Sequence, residues 1–238
     1  MKQQPNKPAN QSESGGLLVP RFAGSDRPLI LASGSPRRRQ LLARLGLPFR
    51  VVVPDLDEDV PSSSGLTPEQ MAEALARAKA LAVAQRERDG LVLAADTLVV
   101  DGETVLGKPR DAAEATAMLR RLRDREHRVI TGLALVDAAH PASSLSHALA
   151  TTRVRMRDYA DAEIAAYIAR GEPFDKAGAY AIQDEAFRPV ASYDGCYCNV
   201  VGLPLRAVIS LLRRAGLDIT DDSLGGLPPE CAGCPLEV

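Results

Sequence analysis

Three consecutive arginines stand where a helix ought to begin. They belong to the segment Ala32-Ser33-Gly34-Ser35-Pro36-Arg37-Arg38-Arg39-Gln40-Leu41-Leu42, which follows the short apolar run Leu29-Ile30-Leu31. The run reads as a buried strand and Ser33-Gly34-Ser35 as a tight turn. Pro36 suits the first helical position, because its missing N–H would be unpaired there anyway. Leu41, Leu42 and Leu45 then keep helical spacing until Gly46 stops it. Arginine in the first turn opposes the helix dipole at a cost of about 0.3–1 kcal/mol per charge. A bound anion offsets that cost, and open amides at a helix start favour phosphate. The competing reading is a solvated basic helix end.

Other residues carry chemistry of the same kind. Lys108 also precedes a helix start, again the wrong end for a cation unless an anion is near. Asp96 closes an apolar strand, a common place for a catalytic side chain in α/β folds; otherwise it is a turn-forming aspartate. Glu58 lies in the acidic stretch Asp55 to Asp59. Two carboxylates beside a triphosphate hold a hard divalent cation such as Mg²⁺, and one of them can take a proton from water. Lys79 follows Leu75 by one helical turn and reads as a snorkelling side chain or a site residue. Phe174-Asp175-Lys176-Ala177-Gly178-Ala179-Tyr180-Ala181-Ile182-Gln183 reads as a loop leading into a strand. Its terminal amide both donates and accepts, which suits the edge of a nucleobase.

Several classes lose their usual support. Gly102-x4-Gly107-Lys108 imitates a phosphate-binding P-loop, but Pro109 replaces the hydroxyl residue that would hold magnesium. His127, His140 and His147 show no metal-ligand spacing, so zinc hydrolysis is not indicated. No Gly-x-Ser-x-Gly elbow and no Gly-x-Gly-x-x-Gly fingerprint occurs. Across 238 residues, 29 basic and 31 acidic side chains leave a net charge of −2, so no global field attracts nucleic acid. Tryptophan is absent and aromatics are scarce, which disfavours base-stacking platforms. No apolar run has the length of a signal peptide or a membrane span, so a cytoplasmic protein without a membrane partner is expected.

The elements that must position these residues follow from periodicity and punctuation. Residues 1–27 are rich in Gln, Asn, Ser, Pro and Gly and read as a disordered extension. Residues 28–217 form the expected globular domain, and 218–238 an irregular, cysteine-containing tail. Phe49 to Val53 reads as a second strand. Thr67-Pro68-Glu69-Gln70 is a capping-box signature opening a helix to about Arg88, with Met71, Leu75, Ala78 and Ala82 as its apolar stripe. Leu91 to Ala95 reads as a buried strand ending at Asp96-Thr97. Leu98-Val99-Val100 and Glu103 to Leu106 flank an Asp-Gly turn. A helix capped by Asp111, strands at His127–Val136 and Ser146–Met156, and helices near Asp161–Arg170 and Pro204–Gly216 complete the layout. Strands and helices alternate with hairpins between them, which predicts an α/β fold with a mixed, twisted sheet and flanking helices.

Taken together, these segments resemble the Maf family of nucleoside triphosphate pyrophosphatases. The resemblance covers about residues 28–217 and rests on ASGSPRRRQLL (32–42), AADTLVV followed by LGKPRD (94–111), FDKAGAYAIQ (174–183) and NVVGLPL (199–205). It implies hydrolysis between the α and β phosphates, releasing a monophosphate and pyrophosphate, as house-cleaning of nucleotide pools. It also implies a divalent metal (Mg or Mn), a homodimer, and a sheet like that of inosine triphosphate pyrophosphatases. By the same resemblance Asp96 is the catalytic carboxylate, and Ser33, Arg38, Lys79 and Lys108 bind phosphate. Glu58 and Asp96 hold the metal, and Arg37, Thr97 and Gln183 choose the base. The Ala-Ile-Gln ending resembles the branch acting on dTTP and UTP. A 7-methyl-GTP pyrophosphatase and a non-catalytic nucleotide sensor regulating division are the alternatives.

The resemblance leaves four cysteines unexplained: Cys196-x-Cys198 and Cys231-x-x-Cys234. Two close thiolate pairs suit a structural zinc ion or an iron–sulfur cluster if the tail folds back. An extended segment around Tyr197 would put Cys196 and Cys198 on one face. A redox-active pair or an incidental tail pair is the competing reading.

Overall fold

A computed structural model describes residues 27–56, 65–220, 227–231 and 234. Glu58 and most of the presumed N-terminal extension lie outside these residues. The elements run β1 (Leu29–Ala32), α1 (Pro36–Ala43), β2 (Phe49–Val51), α2 (Pro68–Glu87), β3 (Leu91–Asp101), β4 (Thr104–Leu106), α3 (Ala112–Leu122), β5 (Glu126–Asp137), β6 (Ser146–Met156), α4 (Asp161–Ala169), β7 (Val190–Asp194), α5 (Tyr197–Val201) and α6 (Leu205–Arg214). The strands form one mixed sheet in the order β2-β1-β3-β5-β6-β7, with β4 also paired to β3. β1 is parallel to β2 and β3, and the remaining pairs are antiparallel. Among the described residues no helix is long and apolar enough to cross a membrane.

The two sheet faces are covered differently. On one face lies α2, whose Ala72, Ala76, Ala80 and Val83 are fully buried over the β1, β3 and β5 residues Ile30, Val92, Ala94 and Val136. Small side chains let the helix settle close to the strands. At Gly132 the approach is closest: a Cβ there would stand 2.4 Å from the Ala72 carbonyl oxygen. The opposite face carries α1, α5 and α6 over Leu29, Leu91, Leu93 and Leu133, and α3 and α4 over Val99, Val129 and Val154. Helix α6 buries Leu205, Val208, Ile209, Leu211 and Leu212 there, each worth about 1.5–3 kcal/mol in water-exclusion terms.

Three expectations change. The apolar stripe of α2 is rotated from Met71, Leu75, Ala78 and Ala82 to the Ala72–Val83 set, and it includes Lys79, which is buried rather than snorkelling. β3 does not end at Asp96-Thr97 but runs unbroken to Asp101, because β5 pairs with it from Leu91 through Val100. The segment after Phe174 forms two short 3₁₀ turns, Glu172–Asp175 and Ala177–Ala179, and no strand follows until Val190. Gly178 has φ +68° with Val99 packed where a side chain would go, and Ala179 also has positive φ. That backbone cannot extend into a sheet.

Candidate active site

A break along one edge of β3 creates the site. β1 pairs with β3 only as far as Ala32↔Ala94, and β4 takes up pairing again at Leu106↔Val99. Between them Ala95 to Leu98 have no neighbour on that side, while β5 supports them on the other. A cleft of about 760 Å³ occupies the gap, and α1 starts at its wall. It is lined by Ser33, Arg37, Arg38, Lys79, Asp96, Thr97, Lys108 and Gln183. The candidate residues named for nucleotide chemistry therefore meet in one cavity, except Glu58, which lies outside the described residues. The chain leading to Glu58 leaves from the rim, where Val53 and Pro54 line the same cleft.

Alternation along β3 sends Asp96 and Thr97 to opposite faces. Asp96 turns toward α2, where Lys79 Nζ meets its Oδ1 at 2.6 Å, both side chains about nine-tenths buried or more. The pair sits one strand from Gly132, which is directly opposite Asp96 in the β3–β5 register. The glycine that admits α2 thus lies beside the carboxylate that α2 neutralises.

Thr97 turns toward α1 and α5. Its hydroxyl receives Arg38 Nη2 at 3.1 Å and touches Thr131 Oγ1 at 2.9 Å. Arg38 Nε donates to the Gly202 carbonyl at 2.9 Å. Gly202 ends α5 with φ +119°, its α-carbon facing Thr97 and Arg38. Behind this lies buried Asn199, whose Nδ2 donates to Val129 O and Thr152 Oγ1. Thr131 and Asn199 were not singled out as candidates. Asn199 opens the NVVGLPL segment, but nothing in sequence order tells that its amide ties α5 to two strands.

The basic helix start is built as the sequence suggests. Ser35 caps α1 by accepting from the Arg38 amide, Pro36 follows it, and no acidic residue occupies the first turn. Arg37 reaches across the cleft to Asp175, with Nη1 donating to Oδ2 at 2.6 Å and Nη2 to the carbonyl at 3.1 Å. Burial acts to raise the Asp175 pKa, but hydrogen bonds from Lys176 and Arg37 outweigh it and hold the carboxyl below its ordinary value. Gly178 N donates to Gly107 O at 3.0 Å, joining the Phe174–Gln183 segment to the Lys108 loop. Gly102 lies in the β3–β4 turn and not between strand and helix, which disposes of a P-loop.

At the back of the cleft Tyr180 hydrogen-bonds His127 Nε2 at 2.8 Å. Burial lowers the His127 pKa to about 4, so the ring is neutral at physiological pH, and it raises that of the Tyr180 hydroxyl.

Comparison with known proteins gives a consistent result. Residues 28–215 match the Maf-like protein family. A dTTP/UTP pyrophosphatase of Thermomicrobium roseum is 54% identical over 208 residues, covering 87% of this chain and 93% of that one. Proteins of the same name from Moorella thermoacetica and Pelotomaculum thermopropionicum are 51% and 47% identical, each over 80% of this chain and 96% and 98% of their own lengths. Among solved structures, a nucleoside-triphosphatase / dITP/XTP pyrophosphatase from Mycobacterium abscessus aligns with TM-score 0.37 and 19% identity over 56% of this chain and 75% of that one. That likeness is too slight to bear on the site.

Proposed function

The chain belongs to the Maf family, and on that footing we propose that it hydrolyses dTTP and UTP between the α and β phosphates. The products are the nucleoside monophosphate and pyrophosphate. The observation that carries the reading is the cleft whose lining brings Asp96 together with Arg37 and Arg38 of the α1 start, Lys79 and Lys108. The pyrimidine substrates are those of the dTTP/UTP pyrophosphatases to which the chain is similar.

Each group has a task that its surroundings suit. The amides of the α1 start, with Ser33, Arg38 and Lys108, receive the phosphates, and a triphosphate offsets the unfavourable charge at that helix end. Cationic groups at the β and γ phosphates stabilise pyrophosphate as it leaves. Asp96 accepts a proton from the attacking water. Lys79 holds one carboxylate oxygen, which fixes the direction in which the other is offered. Arg37, locked to Asp175, and Gln183, exposed at the rim, face the base together with Thr97.

The donor set also fits a hard divalent cation. Among the described residues no group of three or more His, Cys, Asp or Glu is arranged to hold a metal. Mg²⁺ in such sites uses one or two carboxylates and completes its shell with substrate phosphates and water. Asp96 meets that requirement, with Glu58 as the second carboxylate. Asp96 and Glu58 would hold Mg²⁺ or Mn²⁺, which would supply Lewis-acid polarisation of the phosphate oxygens. The same reading has the enzyme act as a homodimer on cytoplasmic nucleotide pools.

Product analysis tests the proposal. With dTTP or UTP and Mg²⁺ or Mn²⁺, the expected products are TMP or UMP and pyrophosphate in equal amounts. Orthophosphate in place of pyrophosphate would refute α–β cleavage. Faster turnover of 7-methyl-GTP than of dTTP and UTP would refute the base assignment.

A further inference from the structure

The four cysteines that the catalytic reading leaves unused converge in space. Cys196 caps α5 and Cys198 lies in its first turn, so the segment is helical rather than extended. A 3₁₀ turn, Pro229–Cys231, brings the tail back onto this spot. Cys196, Cys198 and Cys231 are essentially inaccessible to solvent and belong to one buried cluster, with Cys234 against it. Cys198 Sγ and Cys231 Sγ lie 2.7 Å apart.

The backbone around both pairs is held in place. Thr152 Oγ1 accepts from the Cys196 amide at 3.0 Å and donates to its carbonyl at 3.2 Å. Cys231 N bonds Pro228 O at 2.8 Å, and Cys234 N bonds Cys231 O at 3.2 Å, closing a turn over the second pair. Arg206 Nε donates to the Cys231 carbonyl at 3.2 Å. That sets a positive charge beside a cluster that becomes negative when its thiols ionise, the kind of outer support that metal ligands receive.

We propose that Cys196, Cys198, Cys231 and Cys234 form a tetrathiolate site for one structural zinc ion, separate from the catalytic cation, which pins the C-terminal segment to α5. Cys231-x-x-Cys234 has the spacing typical of such sites, and four sulfurs from two segments complete a tetrahedron. Each thiol gives its proton to solvent as a Zn–S bond forms, and no electron is transferred. A Cys198–Cys231 disulfide would need an oxidant and would leave Cys196 and Cys234 without a task. Iron–sulfur clusters take the same four thiolates, and metal analysis separates the two. Zn–S bonds of about 2.3 Å place sulfurs about 3.8 Å apart, so seating the ion opens the Cys198–Cys231 contact by about 1 Å. Because α5 ends at Gly202, whose carbonyl holds Arg38, the clamp also bears on the wall of the cleft.

The test uses the full chain, purified reduced and without chelator, then supplied with Zn²⁺ and freed of excess. One zinc per chain is expected, released stoichiometrically by an organomercurial, with four thiols titrating after denaturation in chelator. Replacement by Co²⁺ should give the intense thiolate-to-metal absorption and tetrahedral d–d bands of four sulfur ligands. Cys234→Ser, which changes the one half-exposed ligand, should weaken zinc retention at least tenfold and alter the cobalt spectrum. Any one of three results would overturn the proposal: no zinc retained, iron with visible absorption in its place, or two titratable thiols without reductant.

Discussion

Removing the Asp96 carboxylate does two things at once, because Lys79 lies buried beside it. Asp96→Asn should lower turnover by about 10²–10⁴-fold, the usual worth of a positioned general base. It also takes from the buried Lys79 ammonium the carboxylate that meets it at 2.6 Å, so the variant should melt earlier as well. Adding Lys79→Met removes that buried charge. The double variant should regain most of the lost stability in a denaturant titration and none of the pyrophosphate release. Recovery of activity would show that Asp96 acts only as a partner to Lys79. Gln183, exposed at the rim, separates choice from catalysis. Gln183→Glu should shift the ratio of kcat/KM between dTTP and 7-methyl-GTP at least tenfold while the fold is unchanged. An unaltered ratio would take Gln183 out of base recognition.

The placement of α2 decides whether Lys79 reaches Asp96, and Gly132 decides the placement of α2. Gly132→Ala would force a methyl group to within 2.4 Å of the Ala72 carbonyl oxygen. The helix must move, at a cost of about 1–3 kcal/mol for overpacking. Thermal melting should show that loss, and kcat should fall although the substituted residue is not a candidate catalytic group. Unchanged kcat would mean that the Lys79–Asp96 contact tolerates the shift. This coupling was not legible in the sequence, where Gly132 is one glycine in an apolar strand and Lys79 looks like a lysine lying along a stripe. What was legible is what depends on neighbours in the chain: the capped start of α1, the Thr67 capping box, the strands β5 and β6, and Asp96 on a buried strand. What was not legible depends on partners far along the chain. β3 reads as ending at Thr97 because a polar pair usually closes a strand, yet β5 pairs straight through it. The Phe174–Gln183 segment reads as a loop leading into a strand until Val99 is seen to occupy the space above Gly178.

At the scale of the whole molecule, the stability of the fold is linked to pH through His127. Its pKa is about 4 in the native state and the ordinary 6.5 when unfolded. Between those values the unfolded chain binds a proton that the native protein does not, so stability rises with pH across that window. It should be complete above about pH 6.5 and fall by up to about 3 kcal/mol on acidification to pH 4, with no further loss from this group below that. Denaturant midpoints at several pH values measure the slope. His127→Gln, which keeps a polar partner for Tyr180, should flatten it; an unchanged slope would place the linkage elsewhere.

β3 presents Asp96 to one face of the sheet and Thr97 to the other, so neighbouring residues answer to different sets of helices. On the roles proposed above, the proton-accepting carboxylate is anchored to α2, the phosphate-binding groups to the start of α1, and the base-facing Arg37 and Gln183 to the rim beside the 3₁₀ turns. Variation at that rim, with Arg38, Lys108 and α2 left untouched, is the route by which such a chain would exchange one nucleobase for another.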